Sequence, residues 1–172
     1  TPGAIEEFAE AYQRTCRKLA GEETKEDEDD DSVPSTLRLK VQEFATQTTA
    51  KKALQHIRVM RMLRKFVFSH LESYRGKFKQ AGTKGLPKWW KKETHDAALV
   101  EGVQAHGFDF KKVFSEDNPD YKDVPTVEGK PQPPREGLLI NHLENIATLF
   151  ERLHKFGSPS KAGSRKGSLL FH

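Results

Sequence analysis

The side chains that most often carry chemistry in proteins are scattered along this chain in patterns that assemble no catalytic or metal centre. The sequence has seven histidines and one cysteine, Cys16. It contains no Cys-x-x-Cys pair, no His-Glu-x-x-His motif and no Gly-x-x-x-x-Gly-Lys-Ser/Thr phosphate loop. We interpret His106 and His142 as packed or capping residues, because no other ligand-type side chain is spaced to join them. The sequence therefore predicts no metal, no cofactor, no small-molecule substrate and no enzymatic activity.

Trp89 and Trp90 form an adjacent pair of aromatic side chains. Aromatic faces attract cations and stack on nucleobases, so the pair could be a stacking platform or a wall of a methyl-lysine cage. In a short helical domain, the alternative is that one ring enters the core and the other packs on the preceding helix. We expect Trp90 in the core, and Trp89 stays open between the two roles.

The formal net charge of +4 conceals blocks of alternating sign. Residues 1–31 hold 4 basic and 11 acidic residues, whereas residues 36–92 hold 15 basic and 2 acidic residues, a net charge of +13. Residues 93–154 hold 6 basic and 12 acidic residues, and residues 155–172 hold 4 basic residues and no acidic ones. A concentrated basic block of this kind is typical of proteins that bind nucleic acid.

Lysine and arginine side chains that neutralise phosphates hold a DNA duplex without reading its bases. The cations that we predict to contact double-stranded DNA or a nucleosome are Lys51, Lys52, Arg58, Arg61, Arg64, Lys65, Lys84, Lys88, Lys91 and Lys92. The alternative is a solvated helix face whose cations meet acidic segments of the same chain, such as the eight acidic residues between 22 and 31. Both interpretations are compatible, because the acidic run could cover the basic face when DNA is absent.

Helices must position these side chains. Apolar residues at spacings of three and four predict an N-terminal helix in residues 1–21, with Ile5, Phe8, Tyr12, Cys16 and Leu19 on one face. An acidic linker, residues 22–35, precedes a basic helical region, residues 36–80. In that region a first helix presents Leu37, Val41 and Phe44, and a long helix over 50–80 follows, with Thr48 or Thr49 as its N-cap. No apolar run approaches the length of about 18 residues that a membrane span needs, so no membrane partner is expected.

After a short linker, residues 81–88, the pattern changes to a smaller helical unit over 89–155. We predict a helix over 93–106 closed by Gly107, a short helix around Phe110, Val113 and Phe114, and a helix over 136–155. Five prolines mark 117–134 as an inserted loop. Residues 156–172 are predicted to be a disordered basic tail. The predicted fold is an all-α helical bundle, and the single cysteine fits a reducing compartment.

The second unit resembles a known family of helical domains. The stretch Leu86-Pro87-Lys88-Trp89-Trp90, followed by Asp96, Leu99, Gly102-Val103 and His106-Gly107, is similar to the SANT-like segment near the C-terminus of CHD chromatin remodellers of the Kismet-like branch. Domains of the Myb/SANT type are three-helix units in which each helix gives one large aromatic, here Trp90, Phe110 and Phe150, to a small shared core. The full core that we predict on this basis is Trp90, Leu99, Val103, Phe110, Phe114, Ile146 and Phe150.

The resemblance implies a nuclear, non-catalytic accessory module of an ATP-dependent chromatin remodeller, beside a motor outside this chain. In DNA-reading Myb repeats the third helix is basic or amide-rich where it enters the major groove. Here residues 135–155 carry three basic and three acidic residues, so we expect DNA contacts from the preceding basic helix and linker. The alternative is a SANT-type protein-interaction scaffold that binds a histone tail or a remodeller subunit.

Overall fold

The regular structure of the chain is almost entirely helical. The computed structural model describes residues 2–22, 46–115, 119–121, 124–127 and 130–156. Within these ranges the only strands are β1 (Thr126–Val127) and β2 (Lys130–Pro131), which form a short antiparallel ribbon. The predicted all-α fold is therefore confirmed.

Several predicted segments lie outside the described residues. They are the acidic linker beyond Glu22, the helix predicted to present Leu37, Val41 and Phe44, and the tail from 157 to 172. By its internal contacts the chain divides into two compact units, residues 1–61 and residues 62–172.

The first unit contains helix α1 (Pro2–Ala20), which ends as its sequence predicts but is buried only along its second half. Gly21 adopts a φ of 71°, and the amide of Glu22 donates to the carbonyl of Arg17 at 2.9 Å, which is the hydrogen bond of a Schellman cap. Cys16 is fully buried, whereas Ile5 and Phe8 are 71% and 50% exposed. The predicted apolar face is therefore only partly covered, because burial is confined to residues 11–20 of the helix.

Helix α2 (Gln47–Met62) also belongs to the first unit up to Arg61. Its cap is Thr46, whose hydroxyl accepts from the amide of Thr49 at 3.3 Å, and not Thr48 or Thr49. The guanidinium of Arg61 donates to the side-chain oxygen of Gln13 in α1 at 2.8 Å. This hydrogen bond joins the two helices of the unit.

The second unit begins inside the predicted long helix, at Met62. The predicted helix over 50–80 is helical throughout but is not one α-helix, since α2 is followed by four short pieces: a π-helical turn (Leu63–Val67), a 3₁₀ turn (Phe68–His70), helix α3 (Leu71–Tyr74) and a 3₁₀ helix (Arg75–Gln80). The run Phe66-Val67-Phe68-Ser69-His70 consists of residues with modest helix propensity, so packing decides its conformation. The π-helical turn buries Leu63, Phe66 and Val67 together.

The π-helical turn packs on the C-terminal helix, α6 (Glu136–Phe156), and the two 3₁₀ pieces contact the helix Thr94–His106. The buried ring of Phe78 lies 5.1 Å from the ring of Phe150, measured between centroids. The compact unit therefore begins at Met62, and the predicted linker 81–88 lies inside it.

The remaining helices follow the predicted order. Helix α4 (Thr94–His106) ends at Gly107, which has a φ of 63° and donates its amide to the carbonyl of Val103 at 2.8 Å, so the predicted C-cap is confirmed. Helix α5 (Phe110–Val113) is a single turn capped by Asp109. The predicted loop 117–134 carries a 3₁₀ turn (Pro119–Tyr121) that delivers Tyr121 to the core.

The predicted core is found with one exception. Trp90, Leu99, Val103, Phe114, Ile146 and Phe150 are buried, but Phe110 is only half-buried. Phe110 is the first residue of a one-turn helix, and its ring lies 6.1 Å from that of Phe108. The place near Trp90 is taken by Phe114 at 6.4 Å and Tyr121 at 6.4 Å between ring centroids.

Candidate nucleic-acid interface

All ten cations predicted to contact DNA are exposed to solvent. Four belong to the first unit, namely Lys51, Lys52, Arg58 and Arg61 on α2. Six belong to the second unit, namely Arg64 and Lys65 on the π-helical turn and Lys84, Lys88, Lys91 and Lys92 in the segment before α4. Apolar side chains of the same π-helical turn are buried, so packing uses its apolar face and leaves its cations in water.

The four lysines of the second group lie on a connection that we call the 84–92 turn. Gly85 has a φ of 86°, which favours glycine, and a Cβ at this position would lie 3.2 Å from a side-chain carbon of Leu138 in α6. The amide of Trp90 donates to the carbonyl of Pro87 at 3.0 Å. These features hold the turn against α6 and present its lysines outward.

A buried polar cluster anchors the end of this turn. One carboxylate oxygen of Asp96, Oδ1, accepts from the indole Nε1 of Trp90 at 2.7 Å and lies 2.7 Å from Nε2 of His142. The other ring nitrogen of His142 lies 3.2 Å from the carbonyl oxygen of Gly82. The imidazole of His142 thus bridges the side chain of Asp96 and the backbone carbonyl of Gly82, and the two side chains form a buried hydrogen-bonded pair.

His95 fixes the turn from a second side. Its Nδ1 accepts from the backbone amide of Lys91 at 2.8 Å, and its carbonyl accepts from the hydroxyl of Tyr121 at 3.4 Å. Burial raises the pKa of Tyr121 well above its usual range, with further contributions from Asp120 and other nearby carboxylates. The phenol therefore stays neutral and keeps its role as a donor.

Trp89 differs from its neighbour in exposure. Trp90 is buried, while Trp89 is half-buried. The ring of Trp89 lies 5.7 Å from the ring of Trp90 and 5.6 Å from that of His95, the latter at an angle of 67°. The indole of Trp89 therefore contacts two buried rings, and part of its surface stays accessible to solvent.

The prediction that His106 and His142 are packed or capping residues holds for His142 and is wrong for His106. His142 is a packed core residue, and His106 is an exposed residue at the end of α4, where Gly107 provides the cap. No group of three or more His, Cys, Asp or Glu side chains in the described ranges is arranged to hold a metal ion.

Helix α6 offers few unpaired cations. Lys155 forms an ion pair with Glu151 at 2.8 Å, one turn away, and Arg152 is exposed. The inner face of the helix is apolar, with Leu139, Leu143, Ile146 and Phe150 all buried. The helix therefore contributes its apolar face to the core of the second unit.

The second unit also has an open groove of about 400 Å³ that sequence reasoning did not find. It is lined by Arg75, Gly76, Glu93, Thr94, Ala97, Ala98 and Asp120. The guanidinium of Arg75 is held by Glu101 at 3.1 Å and by Glu72 at 3.8 Å. Carboxylates therefore outnumber the cation in and beside the groove.

Sequence reasoning also missed the buried polar cluster of Trp90, Asp96 and His142, although the sequence around two of its members indicates buried polar residues. Asp96 and His142 are 46 residues apart, so no local spacing connects them. Each of them, however, sits among apolar residues of its helix, which is where a buried polar pair is expected.

Comparison of the chain with protein family models, curated protein sequences and solved structures finds no match. Among the described residues, no helix is both long and apolar enough to cross a membrane.

Proposed function

We propose that this chain is a non-catalytic module that binds double-stranded DNA or nucleosomes through phosphate contacts, as an accessory part of an ATP-dependent chromatin remodeller in the nucleus. The observation that carries the DNA-binding proposal is the exposure of all ten predicted cations. The link to remodellers rests on the resemblance of residues 86–114 to the SANT-like segment of CHD proteins.

The charge of α6 supports contact without base readout. A groove-reading helix needs basic or amide side chains directed at base edges, whereas α6 and the residue before it balance three basic residues with three acidic ones. Binding through phosphates alone is independent of sequence and strongly dependent on salt.

The test is duplex binding as a function of salt, measured by fluorescence anisotropy with short duplexes of unrelated sequence. We expect similar affinities for all duplexes. Changing Arg58, Arg61, Arg64 and Lys65 together to Ala should reduce the slope of log K against log salt by about 3 to 4, since each lost phosphate contact removes about 0.9.

The matched control removes the same amount of charge elsewhere. Lys111, Lys112, Arg152 and Lys155 are exposed cations outside the predicted set, and two of them are already paired with carboxylates. Their combined change to Ala should alter the slope by less than half as much. Equal slopes for the two variants would contradict the proposed surface, and an unchanged slope in both would contradict DNA binding through phosphates.

The second candidate function is a protein-interaction scaffold that binds a basic segment such as a histone tail. It is favoured by the groove lined by Glu93 and Asp120, since the one cation in its lining, Arg75, is already paired with Glu101 and Glu72. A pull-down with purified histones and free duplex separates the two functions, because a scaffold retains histones without DNA.

A further inference from the structure

Trp89 is the one tryptophan of the pair that the core leaves partly accessible. Its indole rests on the rings of Trp90 and His95, at centroid distances of 5.7 Å and 5.6 Å. Both supporting rings are buried, and Trp90 is tied to the carboxylate of Asp96. The position of the indole is therefore set by the core of the second unit, so little side-chain freedom is lost when a ligand stacks on it.

The charge around Trp89 distinguishes the ligands that an accessible indole could take. The residues from 84 to 93 contain four exposed lysines and one exposed carboxylate, Glu93, which gives a net charge of +3. This surplus repels a methylated lysine or any other cation and attracts a polyanion. A methyl-lysine cage also needs several open aromatic walls, whereas the rings beside Trp89 are buried.

An aromatic side chain among cations is the arrangement by which proteins hold single-stranded nucleic acid, because phosphates pair with the cations while bases stack on the ring. Bases inside a duplex have both faces covered by their neighbours, so only an unpaired base can use the indole. Lys88 and Lys91 flank the two tryptophans in sequence. The phosphates on either side of a base stacked on Trp89 can therefore pair with these lysines.

We propose that the 84–92 turn binds single-stranded DNA, with an unpaired base stacked on Trp89 and the adjacent phosphates held by Lys88, Lys91 and Lys92. This proposal rests on the proposed function, because both need phosphates at the same lysines. It adds a preference for unpaired bases, such as those exposed where a duplex is opened.

The experiment uses the full chain, a fluorescent oligothymidylate strand and a fluorescent duplex of equal length. Trp89→Leu keeps an apolar side chain against His95 but removes the indole. We expect this change to weaken binding of the strand at least about fivefold and to alter duplex binding by less than about twofold. Trp89→Phe keeps an aromatic face and should recover most of the loss.

The matched control is Phe156→Leu. This change removes an aromatic ring that is 83% exposed and that belongs to the same unit, at the C-terminal end of α6. It should leave binding of the strand unchanged. Intrinsic fluorescence gives a second readout, because the chain has two tryptophans and Trp90 is buried. Addition of the strand should quench the wild-type emission, and the quenching should disappear in Trp89→Phe.

The outcomes separate the two proposals. If Trp89→Leu weakens binding of the strand and binding of the duplex equally, or weakens neither, stacking on Trp89 is overturned while phosphate binding stands. If the wild-type chain binds neither probe, both proposals fail. Urea unfolding of each variant shows whether it is folded. If the Trp89→Leu chain does not fold, the quenching measurement on Trp89→Phe decides whether a base stacks on Trp89.

Discussion

Asp96 is fully buried, and a single one of its oxygens takes part in two hydrogen bonds. Oδ1 meets Trp90 and His142, whereas Oδ2 is buried and has no hydrogen-bond partner among the described residues. Hydrogen bonds formed on folding replace hydrogen bonds to water, so each bond in this cluster adds only about 1 kcal/mol of net stability. Removal of one partner, in contrast, leaves the other polar group buried without that hydrogen bond, and the cost of taking it out of water is then not offset.

The first prediction at this scale concerns Asp96→Leu and His142→Leu. Each single change should lower the free energy of unfolding by about 1 to 3 kcal/mol, because it leaves the other buried polar group without its hydrogen-bond partner. The double variant should lose less than the sum by at least about 0.5 kcal/mol, since neither member of the pair is left buried without the other. Urea denaturation of the four chains measures the cycle.

The control for this cycle is His106→Leu, which changes an exposed histidine on the same helix as Asp96. Its effect on unfolding should lie within about 0.5 kcal/mol. Strictly additive losses in Asp96→Leu and His142→Leu would mean that the two side chains do not form a coupled pair.

At the scale of elements, α4 and α5 approach each other at a glycine. A Cβ built on Gly102 would lie 2.7 Å from one methyl carbon of Val113 and 3.3 Å from two further carbons of that side chain. Val113 is buried and belongs to a helix of one turn, so it has little space to move. Gly102 therefore sets the distance between the two helices.

The second prediction follows from this contact. Gly102→Ala should lower the free energy of unfolding by about 1 to 3 kcal/mol, because overpacking outweighs the gain in helix propensity. Adding Val113→Ala should offset part of the clash. Gly137→Ala is the matched control, since no atom lies within 4 Å of its added Cβ, and it should be neutral or stabilising by up to about 1 kcal/mol. Equal effects of the two glycine changes in urea denaturation would refute the close approach.

At the scale of the whole molecule, the second unit is larger than the three helices that the sequence predicts. Leu63, Val67 and Phe78 come from the segment before the 84–92 turn, and all three are fully buried within a compact unit that begins at Met62. Three helices alone have a small core, and small domains are marginally stable. The added segment supplies apolar burial that the SANT-like part lacks.

The third prediction compares two truncated chains. Residues 62–172 should unfold in urea in one cooperative transition, whereas residues 86–172 should show no cooperative transition and weak near-ultraviolet circular dichroism, because the cavity left by Phe78 and its neighbours prevents fixed packing. Circular dichroism at increasing urea measures both. A cooperative transition of the shorter chain at the same midpoint would contradict an extended core.

The sequence by itself determined the features that depend on neighbours along the chain. The apolar spacing within 94–106 and 136–156 was sufficient for two helices, Gly107 for the cap of the first, and the blocks of charge for the exposed cations. Local hydrogen bonding and amphipathic periodicity carry this information, so it survives without knowledge of the fold.

The tertiary structure alone decided the features that depend on residues distant in sequence. It placed Tyr121 beside Trp90 and left Phe110 half-buried, turned the predicted long helix into short π-helical and 3₁₀ pieces from Leu63 onward, and joined Asp96 to His142. Each of these outcomes is set by which side chains compete for the same buried volume and by which buried polar groups find a partner. Such competition involves residues tens of positions apart, and helical periodicity contains no information about it.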